Sequence, residues 1–390
     1  MVKSFQFSGI PVILFKPGSL AELPAYIKNY GNTIALVTGM HSFDRTPSSV
    51  KLFTDLEKYG IKHFRITISG EPSPSVTDHA VDSLKNEKID VVVAIGGGSV
   101  LDAGKAISAM MYKTGSVKEY LEGVGVKMHP GTKVPFIAVP TTSGTGSEAT
   151  CNAVISEVGK NGFKKSLRHK NFLPDIAVVD PELSLYCPPD ITAASGMDCF
   201  TQLTEAFLSD KSNPYTDALA MEGIKAIKTS FERACKSGED IGARTGMSFA
   251  ALTSGICLAN AGLGIVHGFA GAIGGMYDIP HGLVCGILMA PANEINVREL
   301  RKNKINPTAL KKYEMLGMIF SDEKNKTNDY YIDTFIEYLE KLSYLLNFKG
   351  LKQYGINEED ISTICKITEH KNNPIKLSEN DLIEIINRVL

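Results

Sequence analysis

An α/β half built on a doubly wound parallel sheet, followed by an all-helical half, is the fold class this sequence predicts. Three observations carry it. Short β-branched runs alternate with amphipathic segments up to Asp180, glycine-rich turns close two of those runs, and long helical patterns take over after Asp180-Pro181. Strand, helix, strand, helix with short links is the order of a parallel sheet covered on both faces. The expected boundary divides the chain into residues 1–183 and 184–390.

Taken in order, Thr33 to Val37 reads as a buried strand and Ser48 to Tyr59 as a helix stopped by Gly60. Lys62 to Ile66 is a second strand. The turn-forming Glu71-Pro72-Ser73-Pro74 leads into a helix over Ser75 to Asn86. Asp90 to Ile95 is an apolar strand running straight into Gly96-Gly97-Gly98-Ser99, and a helix covers Leu101 to Met110. Val134 to Val139 is one more strand, ending in Pro140-Thr141-Thr142-Ser143-Gly144-Thr145-Gly146-Ser147. In the second half, Asp198 to Leu208, Pro214 to Ala234 and Gly242 to Ala259 carry apolar residues at three- and four-residue spacing. The chain is mostly helical again from Leu283. Lys164, Lys165, Arg168 and Lys170 form a basic cluster that reads as a solvated turn.

At 390 residues the chain is long for a single core. Its apolar share of 43% and charged share of 22% are those of a globular protein. A net charge of -2 gives no case for nucleic acid or an anionic membrane as partner. Seven scattered cysteines without a Cys-x-x-Cys spacing read as reduced thiols of a cytoplasmic protein. The segment from Met1 to Phe7 lacks the apolar core of a secretory signal, and no run reaches the ~18 apolar residues of a membrane span.

Gly96 to Ser99, closing one strand and opening a helix, has the physics of a phosphate cradle: the backbone can approach closely, and the helix N-terminus offers free amides and a favourable dipole. A ligand-free turn is the plain alternative for this loop alone. Asp102 lies one turn into that helix, beside the ligand such a cradle would hold and so a candidate cofactor-binding residue; stabilisation of the helix dipole is its plain alternative role. The Thr141 to Ser147 loop brings hydroxyls and flexible backbone to the end of the next strand. Two such loops on adjacent strands suit the two ends of one dinucleotide, because ligands of these sheets bind beyond the strands' carboxyl ends.

The helical half holds a different constellation. Asp198 and Gln202 are four apart and share a helix face, which Glu205 continues as polar surface. His267 and His281 stand in an otherwise apolar, glycine-rich stretch. One carboxylate with two imidazoles suggests a divalent metal site.

Together these segments resemble the iron-containing (group III) alcohol dehydrogenases over essentially the whole chain. The landmarks are Glu71-Pro72-Ser73-Pro74, Gly96 to Ser99 with Asp102 and Lys105, and Pro140 to Glu148. They continue with Pro174-Asp175, Asp180 to Leu183, Gly196-Met197-Asp198, Asn213-Pro214, His267 and Pro280-His281-Gly282. The resemblance implies a nucleotide-binding α/β domain, a helical metal domain and a cleft between them for hydride transfer. It further implies that Gly97, Gly98 and Ser99 hold the pyrophosphate. Thr141, Thr142 and Thr145 would line the adenosine and ribose side, with Leu183 packing nearby. If the basic cluster faces the cleft, it favours an anionic substrate, and Lys165 could then also reach the cofactor. Asp198, His267 and His281 would carry catalysis by holding Fe²⁺ or Zn²⁺, and the ion would polarise the substrate oxygen. The substrate is a small alcohol or aldehyde, and a homo-oligomer of at least two chains is expected.

The sequence departs from the family at three points. The usual set is one aspartate and three histidines, but Gln202 occupies the fourth position and offers only a neutral oxygen. Gly271 stands where many members have a further histidine near the substrate. The first strand ends in Gly39, where members that prefer NAD carry an aspartate. Its absence, with His41, Ser42 and Arg45 following, favours NADP over NAD. The rival readings are a metal-independent reductase of the maleylacetate reductase kind, a glycerol or polyol dehydrogenase, and a catalytically silent nucleotide-binding protein. The paired cofactor loops argue against the last.

Overall fold

The computed structural model describes residues 4–160 and 162–390; of the N-terminal segment, Met1 to Lys3 lie outside them. The first half runs β1 (Val12–Phe15), α1 (Leu23–Lys28), β2 (Thr33–Gly39), α2 (Pro47–Lys58), β3 (Lys62–Ile68), α3 (Pro74–Leu84), β4 (Val91–Gly96), α4 (Gly98–Met110), β5 (Phe136–Pro140), β6 (Asn152–Glu157), β7 (Phe163–Arg168) and β8 (Ile176–Val179). Thr46 and Ser73 cap α2 and α3 by accepting from the Ser49 and Val76 amides, each with proline as the next residue. That is the expected chemistry of a helix start, and it explains why Glu71-Pro72-Ser73-Pro74 is both a turn and a helix N-terminus.

Six strands form one parallel sheet in the order β1-β8-β5-β4-β2-β3. Its two faces bury separate clusters. One gathers Val92, Ala94 and Phe136 with α3 and α4, and the other gathers Leu36, Val93, Ile137 and Val178 with α1 and α2. The strand order reverses between β2 and β4, which opens a crevice at their carboxyl ends. Gly39 ends β2 there, and Gly96 ends β4.

The structure corrects several local expectations. β1, β6, β7 and β8 were not anticipated, and Lys164 to Arg168 form strand β7 rather than a solvated turn. β6 and β7 pair antiparallel as a two-stranded hairpin beside the sheet. A strand with three basic residues departs from the usual composition because one of its faces borders a polar cleft.

The second half is helical: α5 (Pro189–Leu208), α6 (Pro214–Lys236), α7 (Ile241–Ala261), α8 (Ile265–Met276), α9 (His281–Asn303), α10 (Pro307–Phe320), α11 (Asn328–Leu345), α12 (Ile361–Ile367) and α13 (Glu379–Asn387). Asn213 and Thr216 form a reciprocal capping box at the start of α6. One large apolar cluster holds these helices together, centred on Phe200, Phe231, Phe269 and Phe335. A smaller cluster joins the halves, with Leu252 and Ile256 of α7 packed on Ala149, Ala177 and Val179. Among the described residues, no single helix is long and apolar enough to cross a membrane.

Candidate active site

The crevice at the sheet's carboxyl end meets the helical half in a cleft of about 760 Å³. Gly97, Gly98, Ser99 and Asp102 line it from the α/β half, Lys164, Ser166 and Arg168 from the hairpin, and Asp198, Gln202, His267, Gly271 and His281 from the helices.

The first wall is the start of α4, where no side chain caps the helix. A Cβ on Gly98 would lie 2.6 Å from Thr145 Cγ2 and 2.9 Å from its Oγ1, and one on Gly97 would meet Thr142 Oγ1 at 3.3 Å. The two glycine-rich loops therefore pack directly on each other. Asp102 accepts from Ser147 Oγ at 2.5 Å and from the Val154 amide at 3.0 Å. Lys105, fully buried, donates to Ser147, Thr150 Oγ1 and the Asn152 carbonyl. Burial pushes this lysine down to about 8. The pair thus ties α4 to the second loop and the hairpin, while Asp102 keeps one border on the cleft. Ser99 donates to Glu71, which also pairs with Lys164 at 3.2 Å.

The remaining residues expected around a cofactor lie at the periphery. A Cβ on Gly39 would sit 3.3 Å from Ser42 Oγ. The neighbouring Arg65 is engaged with Asp44. Thr141 lines a small recess behind the loop with Glu148 and Val179, and Leu183 is buried against the sheet. Alternation along β7 turns Lys164, Ser166 and Arg168 to the cleft, whereas Lys165 pairs with Glu369 from the helical half. Lys164 and Arg168 are themselves paired, with Glu71 and Glu122, so both of these charges are met where they stand.

The second wall is a donor cluster. Asp198 and Glu205 project from α5, His267 from the first turn of α8 and His281 from the first residue of α9. The approach of α9 to α5 depends on Gly282, whose Cβ would fall 2.2 Å from the Ala194 carbonyl oxygen. His267 Nδ1 donates to Glu205 Oε2 at 2.7 Å, and Glu205 Oε1 accepts the Val266 amide at 2.7 Å. One carboxylate therefore caps α8 and turns His267 Nε2 toward Asp198 Oδ1, 3.2 Å away. His281 Nε2 is 3.8 Å from the same oxygen, and Cys285 Sγ joins them from the next turn of α9. Gln202 Oε1, expected as a metal donor, accepts from Ser254 Oγ at 2.9 Å.

Burial and mutual contact set the charges in this cluster. Burial opposes charge on His267, yet Cys285, Glu205 and Asp198 raise it well above its ordinary value. Burial pushes His281 down to about 3 and the Cys285 thiol up to about 11. Burial also works against an ionised Asp198, but the His267 hydrogen bond, the two histidine charges and Gln202 hold it below the usual carboxylate range. Carboxylate, imidazole and thiol donor atoms lie within 4.8 Å of one another at the edge of the cleft, and the donor set suits a divalent ion. Cys285 was not singled out from the sequence, although its place four residues after His281 was a readable signal. Glu205 was read only as polar surface.

A dinucleotide-type crevice facing a metal-type cluster defines a nicotinamide-dependent oxidoreductase. Residues 11–181 match the model of iron-containing alcohol dehydrogenases, and residues 192–390 match that of the C-terminal part of the same family. The chain is 31% identical over 385 residues to alcohol dehydrogenase 4 of Saccharomyces cerevisiae, covering 97% of this chain and 96% of that protein. It is 30% identical over 389 residues to an NAD-dependent methanol dehydrogenase of Bacillus methanolicus, covering 97% and 98%. Among solved structures, an archaeal halo-thermophilic alcohol dehydrogenase from a Red Sea brine pool superposes with a TM-score of 0.90 at 27% identity, covering 100% of this chain and 99% of that one. The chain belongs to the iron-containing alcohol dehydrogenase family and is an NAD(P)-dependent oxidoreductase acting on alcohols and their carbonyl partners.

Proposed function

We propose that this protein interconverts a small alcohol and its aldehyde or ketone with a preference for NADP(H), using one divalent ion held by Asp198, His267 and His281. The observation that carries this reading is a single cleft into which both the start of α4 and the donor cluster open.

In this reading the amides of Gly97, Gly98 and Ser99 take the pyrophosphate. Thr142 and Thr145 border the ribose, with Thr141 and Leu183 behind them and Asp102 bracing the second loop. Gly39 and Ser42 border the position of a 2′-phosphate, where the missing carboxylate removes a repulsion. Glu205 orients His267 through its other nitrogen. The bound ion, Fe²⁺ or Zn²⁺, supplies Lewis acidity toward a substrate oxygen, and the nicotinamide supplies or accepts hydride. At Gly271 an added Cβ would meet no atom within 4 Å, so the substrate chamber is wider here than in members with a histidine. Lys165, through Glu369, ties the hairpin to the helical half beside the cleft.

We further infer a homo-oligomer of at least two chains, supported by exposed Phe5, Ile10 and Val12 at the edge strand β1. Seven unpaired cysteines support a cytoplasmic, reducing setting. The test is elemental analysis of protein purified without chelators, paired with NADPH oxidation over a panel of carbonyl compounds. Absence of turnover with every carbonyl would sink the reading. Turnover that survives complete metal removal would instead favour a metal-independent reductase.

A further inference from the structure

Cys285 stands one helical turn after His281 on α9, so both side chains leave the same face of the helix. Its Sγ is 3.8 Å from Asp198 Oδ1, 3.8 Å from His267 Nε2 and 3.9 Å from His281 Nε2. All four donor atoms lie within 4.8 Å of one another. Metal bonds of about 2.0–2.1 Å to nitrogen or oxygen and about 2.3 Å to sulfur separate tetrahedral donors by about 3.4 Å, or about 3.6 Å where one is sulfur. The distances from Asp198 Oδ1 to the two histidines, 3.2 and 3.8 Å, and the three from sulfur lie close to those edges.

Gln202 is placed differently. Its oxygen accepts the Ser254 hydroxyl at 2.9 Å. The side chain expected to be the fourth donor has its oxygen engaged by a neighbouring helix.

We propose that Cys285, as a thiolate, is the fourth protein ligand of the ion, in an Asp198, His267, His281, Cys285 set. The inference rests on the metal reading above and deepens it. With Gln202 where the family pattern has an imidazole, the sulfur on the neighbouring helix keeps the number of protein donors at four. Binding releases the thiol proton to solvent. Two anionic ligands neutralise a divalent ion, and the soft sulfur moves the preference from Fe²⁺ toward Zn²⁺.

The test reloads chelator-stripped protein with Co²⁺ and records its absorption. A cobalt–thiolate bond gives a near-ultraviolet sulfur-to-metal charge-transfer band, expected in the wild type and lost in Cys285→Ser and Cys285→Ala. Competition against a chromophoric chelator should show zinc binding weakened at least about tenfold in both variants. Cys285→Ala/Gln202→His should regain one metal per chain without the band. One cobalt per chain with no such band in the wild type would overturn the proposal while leaving the metal reading intact, and needs no variant to fold. A wild type that retains no metal and turns over NADPH regardless would overturn both.

Discussion

His267 Nδ1 and Glu205 Oε2 are 2.7 Å apart, and both side chains are almost completely buried. A histidine whose one nitrogen is fixed by a carboxylate presents the other in a single orientation, and such partners tune metal affinity. Glu205→Gln keeps the shape and removes the charge. Metal affinity measured by chelator competition should fall by about 10- to 100-fold. Unchanged affinity would mean that Glu205 serves only as the cap of α8.

Gly98 faces Thr145 so closely that its two consequences can be separated. Gly98→Ala should abolish detectable NADPH binding by calorimetry and also lower the melting temperature, because the new carbon meets Thr145 Cγ2 at 2.6 Å. Gly98→Ala/Thr145→Ala should recover most of the stability but not the binding, since under the proposed cofactor placement the methyl would still hinder approach of the pyrophosphate to the backbone. Recovered binding in the double variant would make loop packing the only role of the glycine.

Strands β2 to β5 and their helices were legible because period and capping agree: Thr46-Pro47 and Ser73-Pro74 announce helix starts that the apolar pattern then continues. The hairpin was hidden because Lys164, Lys165 and Arg168 carry no strand pattern of their own. Their charges are satisfied by Glu71, Glu369 and Glu122, all distant in sequence. β1 and β8 are four residues each and pair with each other across most of the α/β half, too short to read locally. In the donor cluster, Asp198, His267 and His281 stood out as polar groups in apolar surroundings. Cys285 did not, because a buried cysteine ordinarily counts as a small apolar residue. The close approach of α9 to α5 at Gly282, which sets that cysteine beside Asp198, is a tertiary fact.

The proposed preference for NADP(H) can be tested at a single position. Gly39 does not have a left-handed backbone, and a Cβ there presses only on the Ser42 hydroxyl at 3.3 Å, so a side chain is tolerated with a small rotation of Ser42. Gly39→Asp should weaken NADPH relative to NADH by at least about tenfold, or about 1.4 kcal/mol. The ratio of the two dissociation constants measures it. A wild type that binds NADH more tightly would remove the premise.

Glu148 supplies a prediction about pH. It is 2% exposed, and burial raises it to about 7 from its ordinary 4.5, with Lys105 working the other way. Between those values the folded chain holds a proton that the unfolded chain has released. Its contribution to stability is therefore complete below about pH 4.5 and is lost as pH rises through about 7. A displacement of that size corresponds to about 3 kcal/mol. Glu148→Gln is neutral at every pH and cannot show the dependence. The stability of the wild type relative to Glu148→Gln should thus decline from pH 4.5 to 7 and be level above about 8. Lys105 acts in a separate window with the opposite sign: lowered to about 8 from 10.5, it makes the unfolded chain the stronger proton binder there, so stability rises across that interval. Calorimetric melting of both proteins from pH 4.5 to 8 decides the matter. A wild-type-minus-variant difference that does not change with pH would mean that Glu148 is ionised in the folded protein throughout, held by its neighbours rather than neutralised by burial.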